Sequence, residues 1–385
     1  MPCGMTLTKG TLLDDVLVTF AIPCYNSAAY IDRCVESILS CGADDIEVVI
    51  VDDGSTDDTL EVARGWEKKS GGIVRAVHQD NAGHGGAVMR GIAEARGRYF
   101  KVVDSDDWLD DAANTAMLAK LRELASSSPS PQDAATSPQT SPTPQASPTP
   151  QTSTSPREAP LDLMVVNYAY EHITDGKREV MHYRGMLPTG RVFSWDEMGR
   201  IPLSKYILMH SVVYRTQLLR ECGLDLPRHT FYVDNIFAYV PLPACERVFY
   251  LDVDLYHYLI GRDDQSVNES VMAGRIDQQL RITRVMISAF PDLQNIDAPA
   301  KLRRYMTNYL TMMMVICTVF SLLSGRDDAQ ELRRGIWQFL RERDPETHRV
   351  IRRGILGVGT HLPGCLGDKT LIALYHIAQR IFKFN

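Results

Sequence analysis

Several common signatures are missing from this 385-residue chain. Its eight cysteines, at positions 3, 24, 34, 41, 222, 245, 317 and 365, form no CxxC pair. That removes the usual zinc and dithiol redox frameworks. Several stand in apolar runs, where Cys acts as a small hydrophobe, so a reduced, cytoplasmic protein is expected. Neither GxGxxG nor GxxxxGK[ST] occurs, which excludes a dinucleotide fingerprint and a Walker loop. The N-terminal "MPCGMTLTKGTLLDD" has no long apolar core, so no secretory signal is expected. Positive charge is also short. A net charge of −7 argues against nucleic acid as a partner.

That charge is unevenly spread. From Arg333 onward there are ten Lys and Arg against four Asp and Glu, so a basic tail follows an acidic body. Such a tail suggests a task of its own. At 44% hydrophobic residues, the chain can bury one large core or two ordinary ones.

The first 125 residues alternate strand and helix patterns. "VLVTFAI", "IEVVIVD", "IVRAVH" and "YFKVVD" read as strands. "AAYIDRCVESILS", "TDDTLEVARGWEKK" and "GGAVMRGIAEA" read as the helices between them, the second capped by Ser55 or Thr56. Strands apolar on both faces and separated by helices imply an α/β fold with a mostly parallel, doubly covered sheet. Ligands of such sheets bind at the carboxyl ends of the strands. Here those ends read "PCYN", "DDGSTDD", "QDNAGHGG" and "DSDD", all polar or glycine-rich.

Residues 126–160 change character. They hold 9 Pro, 9 Ser and 6 Thr, with "SPTPQ" twice. Such a segment cannot bury enough apolar surface to offset chain entropy, so a disordered insertion is expected. A phosphorylated or partner-binding arm is the minority reading. Strand and loop patterns resume at "LDLMVVNYAY" and continue through "FYVDNIFAYVPL" and "RVFYLDVDLYHYLIG". Beyond about residue 268 the pattern is helical. Residues 305–325 are uncharged, long enough to span a bilayer, yet their Thr, Ser, Asn and Met content favours a buried helix. "KTLIALYHIAQRIFKFN" puts Leu371, Leu374, Tyr375, Ala378, Ile381 and Phe382 at helical spacing among basic residues. That pattern fits either core packing or an anionic membrane surface. The expected divisions are thus 14–125, 126–160, 161–267 and 268–385.

"VVDSDDWL" places Asp104, Asp106 and Asp107 together at a strand end. Like charges crowd there tolerably if a divalent cation neutralises them. Oxygen-only ligands suit Mg²⁺ or Mn²⁺, ions that commonly bridge to substrate phosphates. The plainer alternative is Asp106 or Asp107 capping the next helix. Asp52 and Asp53, at a neighbouring strand end, could accept hydrogen bonds from a base or ribose. Pro23 and Tyr25 end the first strand, where an aromatic ring could contact a nucleobase. Gly83 opens a glycine-rich helix start, where backbone can approach a phosphate.

These stretches together, "FAIPCYNSAAYIDRCVESIL", "IEVVIVDDGSTDDTLEVA" and "NAGHGGAVMRGIAEARGRYFKVVDSDDWL", resemble the family 2 glycosyltransferases of GT-A fold, in order and spacing. The resemblance covers about residues 16–110. It implies transfer of a sugar from a nucleotide diphosphate donor, UDP-linked, usually with inversion and with Mg²⁺ or Mn²⁺. It assigns Asp104, Ser105 and Asp106 to the DxD donor and metal motif, and Pro23, Tyr25, Asp52, Asp53 and Gly83 to donor contacts. In "FYVDNIF", Asp234 matches the general base, with Val233 where relatives carry Glu. "YHYLIGRDDQSV" resembles the loop that closes over the diphosphate. It offers Arg262 to the donor and His257 to the metal, although alone His257 reads as a core histidine. "MHSVVYRTQLL" resembles the acceptor-side segment before the base and contains His210. The implied setting is surface polysaccharide synthesis in the cytoplasm or at the inner face of the membrane, with a glycan or lipid-linked acceptor. Transfer to a polyprenyl phosphate and a non-catalytic nucleotide-sugar sensor are the alternatives.

Overall fold

The computed structural model describes residues 16–126, 159–173, 176–203, 205–261, 269–292 and 298–382. Seven of the eight cysteines fall there, and all seven are free. The N-terminal part alternates β1 (Val18–Cys24), α1 (Ile31–Leu39), β2 (Ile46–Asp53), α2 (Thr59–Lys69), β3 (Val74–Gln79), α3 (Gly83–Glu94) and β4 (Tyr99–Val102). Every residue of β1 and β2 is buried, which explains their unbroken β-branched and apolar runs. In α1, Ile31, Cys34, Val35 and Ile38 form the inward stripe, as their helical spacing requires. The Trp66 indole N–H on α2 donates to Asp32 Oδ1 on α1 at 2.7 Å and ties the two helices together. The cap of α2 differs from expectation. Asp58 holds the cap position, and the Asp57 carboxylate accepts from the Thr59 N–H at 3.0 Å.

A short β5 (Trp108–Leu109) and α4 (Asp111–Ser126) follow. Asp110 opens α4, its Oδ1 accepting from the Ala113 N–H at 2.9 Å. Neither Asp106 nor Asp107 is therefore the cap, and the plainer account of the acidic cluster fails. The expected insertion lies outside the described residues except at its ends.

The second half contributes β6 (Leu163–His172), β7 (Arg178–Met181), β8 (Val192–Phe193), β9 (Val212–Arg215), α5 (Thr216–Glu221), α6 (Asp234–Tyr239) and β10 (Val248–Ile260). "FYVDNIFAYVPL" forms a turn and a helix rather than a strand. The sheet runs β3-β2-β1-β4-β9-β6-β10-β5, with β7 on β6 and β8 on β10. β1 to β4 are mutually parallel. β9 is antiparallel to both neighbours, and β6 and β10 are parallel to each other. The sheet is thus mostly parallel at one end and mixed at the other, flanked by helices, as the GT-A expectation required.

A helical region closes the chain: α7 (Glu269–Gly274), α8 (Ile276–Asp292), α9 (Ala300–Leu323), α10 (Ala329–Arg343), α11 (Pro345–Arg353), α12 (Ile355–Gly359) and α13 (Gly364–Phe382). By length and composition α9 could cross a bilayer, but more than half of its most apolar window is buried in protein. Its polar atoms find protein partners. Tyr305 Oη accepts from the Ile207 N–H at 2.7 Å, and Thr318 Oγ1 accepts from the Trp337 indole at 3.0 Å. The buried-helix reading therefore describes how α9 packs.

Candidate active site

The polar strand ends gather on one rim. Asp53 is buried, and its Oδ1 accepts from the Gln79 side chain at 2.7 Å and the Ala82 N–H at 2.8 Å. Asp52, also buried, sits 2.6 Å from His78 Nδ1 and accepts from the Ser55 N–H at 3.2 Å. Both carboxylates are fixed by neighbouring strand ends. Pro23 lies within β1 beside Val51, and Tyr25 just beyond it is an exposed aromatic. Ser105 is buried and donates to Ser27 Oγ at 2.8 Å.

Gly83 has φ +76°. A Cβ there would meet the backbone N of His229 at 2.7 Å, and one at Gly85 would meet the Pro227 carbonyl at 2.9 Å. The glycines that were read as an approach for phosphate thus also admit a second backbone segment. The His229 N–H donates to the Ala82 carbonyl at 2.8 Å, joining that segment to the start of α3.

Asp104 is the centre of the rim. His84 Nε2, in the first turn of α3, lies 2.8 Å from Asp104 Oδ1. Burial pushes the Asp104 carboxyl up, but the neighbouring His84 outweighs it and holds the carboxyl below its usual range. Burial likewise disfavours a charged His84. The charge and hydrogen bond of Asp104, then Asp234 and Asp106, prevail and raise it above the ordinary histidine value. Asp107 is fully buried. Its oxygens accept from Tyr256 Oη at 2.6 Å and from the Leu259 N–H at 2.9 Å. Burial, with the charges of Asp106 and Asp104, pushes it well up. Tyr256 Oη also accepts from the Asp104 N–H at 3.0 Å, so β10 holds the acidic turn from behind.

Asp234 stands at the first position of α6, partly exposed. Its protein surroundings raise its carboxyl to about 6; the charge of Asp104 pushes the same way and that of His84 opposes. Asp234 and Asp104 therefore share His84 as an electrostatic neighbour, which joins the second half of the rim to the first.

Among the described residues, Asp104, Asp107 and His210 form a group whose ligand-type atoms all lie within 4.8 Å of one another. Carboxylates with one imidazole fit a divalent cation. The imidazole is kept neutral: burial lowers His210 to about 4, Asp104 opposes this, and Lys101 and His84 add to it. Asp106 is not one of the three; its backbone carbonyl accepts from Arg33 at 2.6 Å. His257, offered to the metal from its loop, is not one of them either. Successive strand residues face opposite sides. Tyr256 faces Asp107, while His257 stacks on Trp108 (centroids 5.1 Å, planes 5° apart) and pairs with Glu171 at 2.7 Å. Arg262 lies outside the described residues. The sequence did not single out His84 or Tyr256. No spacing signal marks them, because their partners stand 20 and about 150 residues away.

Residues 19–160 match the family model described as glycosyl transferase family 2. Over this segment, the chain is similar to glycosyl transferase family 2. EpsH of Bacillus subtilis (strain 168) is 26% identical over 260 residues, 63% of this chain and 60% of its own. Chondroitin synthase of Escherichia coli is 40% identical over 117 residues, 30% of this chain and 17% of its own. The chain spans less than two thirds of the length of either. Among solved structures, residues 1–349 of S. aureus TarS in complex with UDP-GlcNAc match with a TM-score of 0.60 at 16% identity. That match covers 95% of this chain and 91% of the other. At that identity the likeness speaks for the fold alone, and it extends through the helical region.

Proposed function

We propose that this glycosyltransferase moves a sugar from a nucleotide diphosphate donor, UDP-linked, to a hydroxyl of a glycan or lipid-linked glycan, with inversion, in surface polysaccharide synthesis. The observation that carries this reading is the meeting of Asp104, His84 and Asp234 at the carboxyl edge of the parallel strands. The UDP-GlcNAc held by TarS and the relation to a chondroitin synthase support the donor and acceptor classes. Asp104, Ser105 and Asp106 would face the diphosphate, with Arg262 beside it. Pro23, Tyr25, Asp52, Asp53 and Gly83 would border the nucleotide.

In the displacement, an acceptor hydroxyl oxygen bonds to the anomeric carbon as the bond from that carbon to the diphosphate oxygen breaks. The hydroxyl proton passes to the Asp234 carboxylate, and the nucleotide departs with the bonding electron pair. With its carboxyl at about 6, Asp234 is mostly ionised at neutral pH and still basic enough to accept that proton. His84 offsets the negative charge of the rim and orients the Asp104 carboxylate. A divalent cation, Mg²⁺ or Mn²⁺, seated at Asp104 and Asp106 would offset the charge gathering on the departing diphosphate.

The test is a screen of nucleotide sugars with Mn²⁺, reading thermal shift and slow donor hydrolysis. Stabilisation by one UDP-sugar is expected, and no response to any nucleotide sugar would sink the reading. Undiminished transfer in excess EDTA would refute the metal requirement. Transfer to a polyprenyl phosphate needs no base, so activity of Asp234→Asn with that acceptor would move the reaction there. We further propose that the basic C-terminal helices rest peripherally on the inner membrane surface. Six of the large apolar side chains exposed on the described surface fall between Val350 and Ile377.

A further inference from the structure

His210 occupies a single 3-10 turn, Met209–Ser211, just before β9. It is 4% exposed, yet neither ring nitrogen has a hydrogen-bond partner. An unmet buried polar group costs about 1–3 kcal/mol, and its presence calls for an explanation such as an ion. Aromatic rings flank the imidazole on two sides. The imidazole stacks on Tyr256 (4.8 Å, 24°) and meets Tyr258 edge-on at 4.4 Å. It joins Asp104 and Asp107 of the acidic turn in a group whose ligand atoms lie within 4.8 Å of one another.

The residue is also held. The His210 carbonyl accepts from Lys101 Nζ at 2.8 Å, and Ser211 Oγ is bonded to Tyr183 at 2.9 Å. Tyr256, which stacks on the imidazole, fixes Asp107 and the Asp104 N–H through its hydroxyl. Outer contacts of this kind orient metal ligands.

We propose that His210 is the nitrogen ligand of the divalent cation that Asp104 holds for the donor diphosphate. This rests on the metal-dependent reading of the site. It replaces the all-oxygen set with a mixed one, and an imidazole disfavours Mg²⁺ relative to Mn²⁺. The cation seat then draws on both halves of the sheet, one ligand from each.

Pulsed EPR on the Mn²⁺-loaded full chain tests it, with histidines labelled by ¹⁵N. A nitrogen coupling to Mn²⁺ is expected in the wild type, lost in His210→Gln and kept in His84→Gln. Mn²⁺ affinity of His210→Gln should fall by at least about tenfold, the range typical of disturbed metal sites, with a smaller change for Mg²⁺. His210→Asn replaces the Gln variant if that one does not fold. A coupling that survives His210→Gln and disappears in His84→Gln would overturn the assignment. So would a wild type that binds Mn²⁺ through Asp104 with no histidine coupling. Mn²⁺ binding unchanged by Asp104→Asn would refute the metal-dependent reading itself, separately from the role of His210.

Discussion

Strands β1 to β4 run parallel and carry their functional groups at adjacent tips. Strands β6, β9 and β10 mix directions, and their contributions come from turns and from rings set mid-strand. In the first half each carboxylate is held by the neighbouring strand end: Asp53 by Gln79 and Ala82, Asp52 by His78 and Ser55. In the second half, Tyr256 and His210 reach the same rim by crossing the sheet to Asp104 and Asp107. The rim of the first half is thus prearranged by local hydrogen bonds, and that of the second half by packing between distant segments. Asp104 is where the two meet, so the comparison is broken most sharply there. Asp104→Asn should reduce transfer by about 10²–10³, the loss typical of one electrostatic stabiliser, with the circular dichroism spectrum unchanged. A variant within tenfold of wild type would mean that the rim is not the reaction centre.

The next largest effect separates the halves by pH. Asp234 must be ionised to accept a proton, and its carboxyl stands at about 6. Below that value kcat/KM should fall tenfold per pH unit, with the midpoint displaced downward if a cation on Asp104 adds positive charge nearby. Asp234→Asn should abolish that limb along with most of the rate. A pH profile of the variant with the same acid limb would remove Asp234 from the role.

This division also explains what could be read in advance. The parallel half was legible because its strands are apolar throughout and its rim carboxylates follow each strand directly, as at Asp52, Asp53 and Asp104. Gly83 was identified for an approach to phosphate. Its positive φ and its contact with the His229 backbone show a second demand on it that only folding reveals. For His257 the sequence gives the loop but not the side of the strand, and one residue along β10 reverses the side. His84 carries no motif of its own, since its meaning depends on Asp104 twenty residues later. Asp234 opens α6 although its neighbour is Val233.

Lys101 tests the packing of the second half. It is fully buried on β4 with Nζ on the His210 carbonyl, and burial lowers it from its ordinary 10.5 to about 7, against the pull of Asp104. Between those values the unfolded chain binds a proton that the folded chain does not. Stability from this group therefore rises with pH across that window, by about 1.4 kcal/mol per unit. Below the folded value the penalty is constant. Lys101→Met should abolish this slope while leaving the His210 carbonyl unmet, a pH-independent loss of about 1–3 kcal/mol. Denaturant midpoints of wild type and variant at pH 7 and pH 9 measure both. Parallel pH dependences in the two proteins would show that Lys101 stays charged in the fold.

The smallest effect on stability is expected where the chain leaves the sheet altogether. α9 and α13 are both apolar helices, but α9 is packed between α8 and α10, whereas in α13 Leu371 is buried and several other large apolar side chains are exposed. Leu366 (78% exposed), Leu374 (51%) and Ile377 (52%) face away, as does Ile355 on α12 (92%). Arg349 and Arg353 on α11 and Lys369 on α13 are exposed on the same helices. Apolar side chains removed from water by lipid stabilise by roughly 25 cal/mol per Å², and each basic residue near an anionic surface adds about 1 kcal/mol. The wild type should therefore sediment with phosphatidylglycerol vesicles and not with phosphatidylcholine, and less so at high salt. Leu374→Ser with Ile377→Ser should change folding stability by no more than about 0.5 kcal/mol each, as expected of exposed positions, yet abolish sedimentation. If the double variant bound vesicles as the wild type does, α13 would not be the contact. If the loss of these two side chains unfolded the protein, the face would belong to the core, as α9 does.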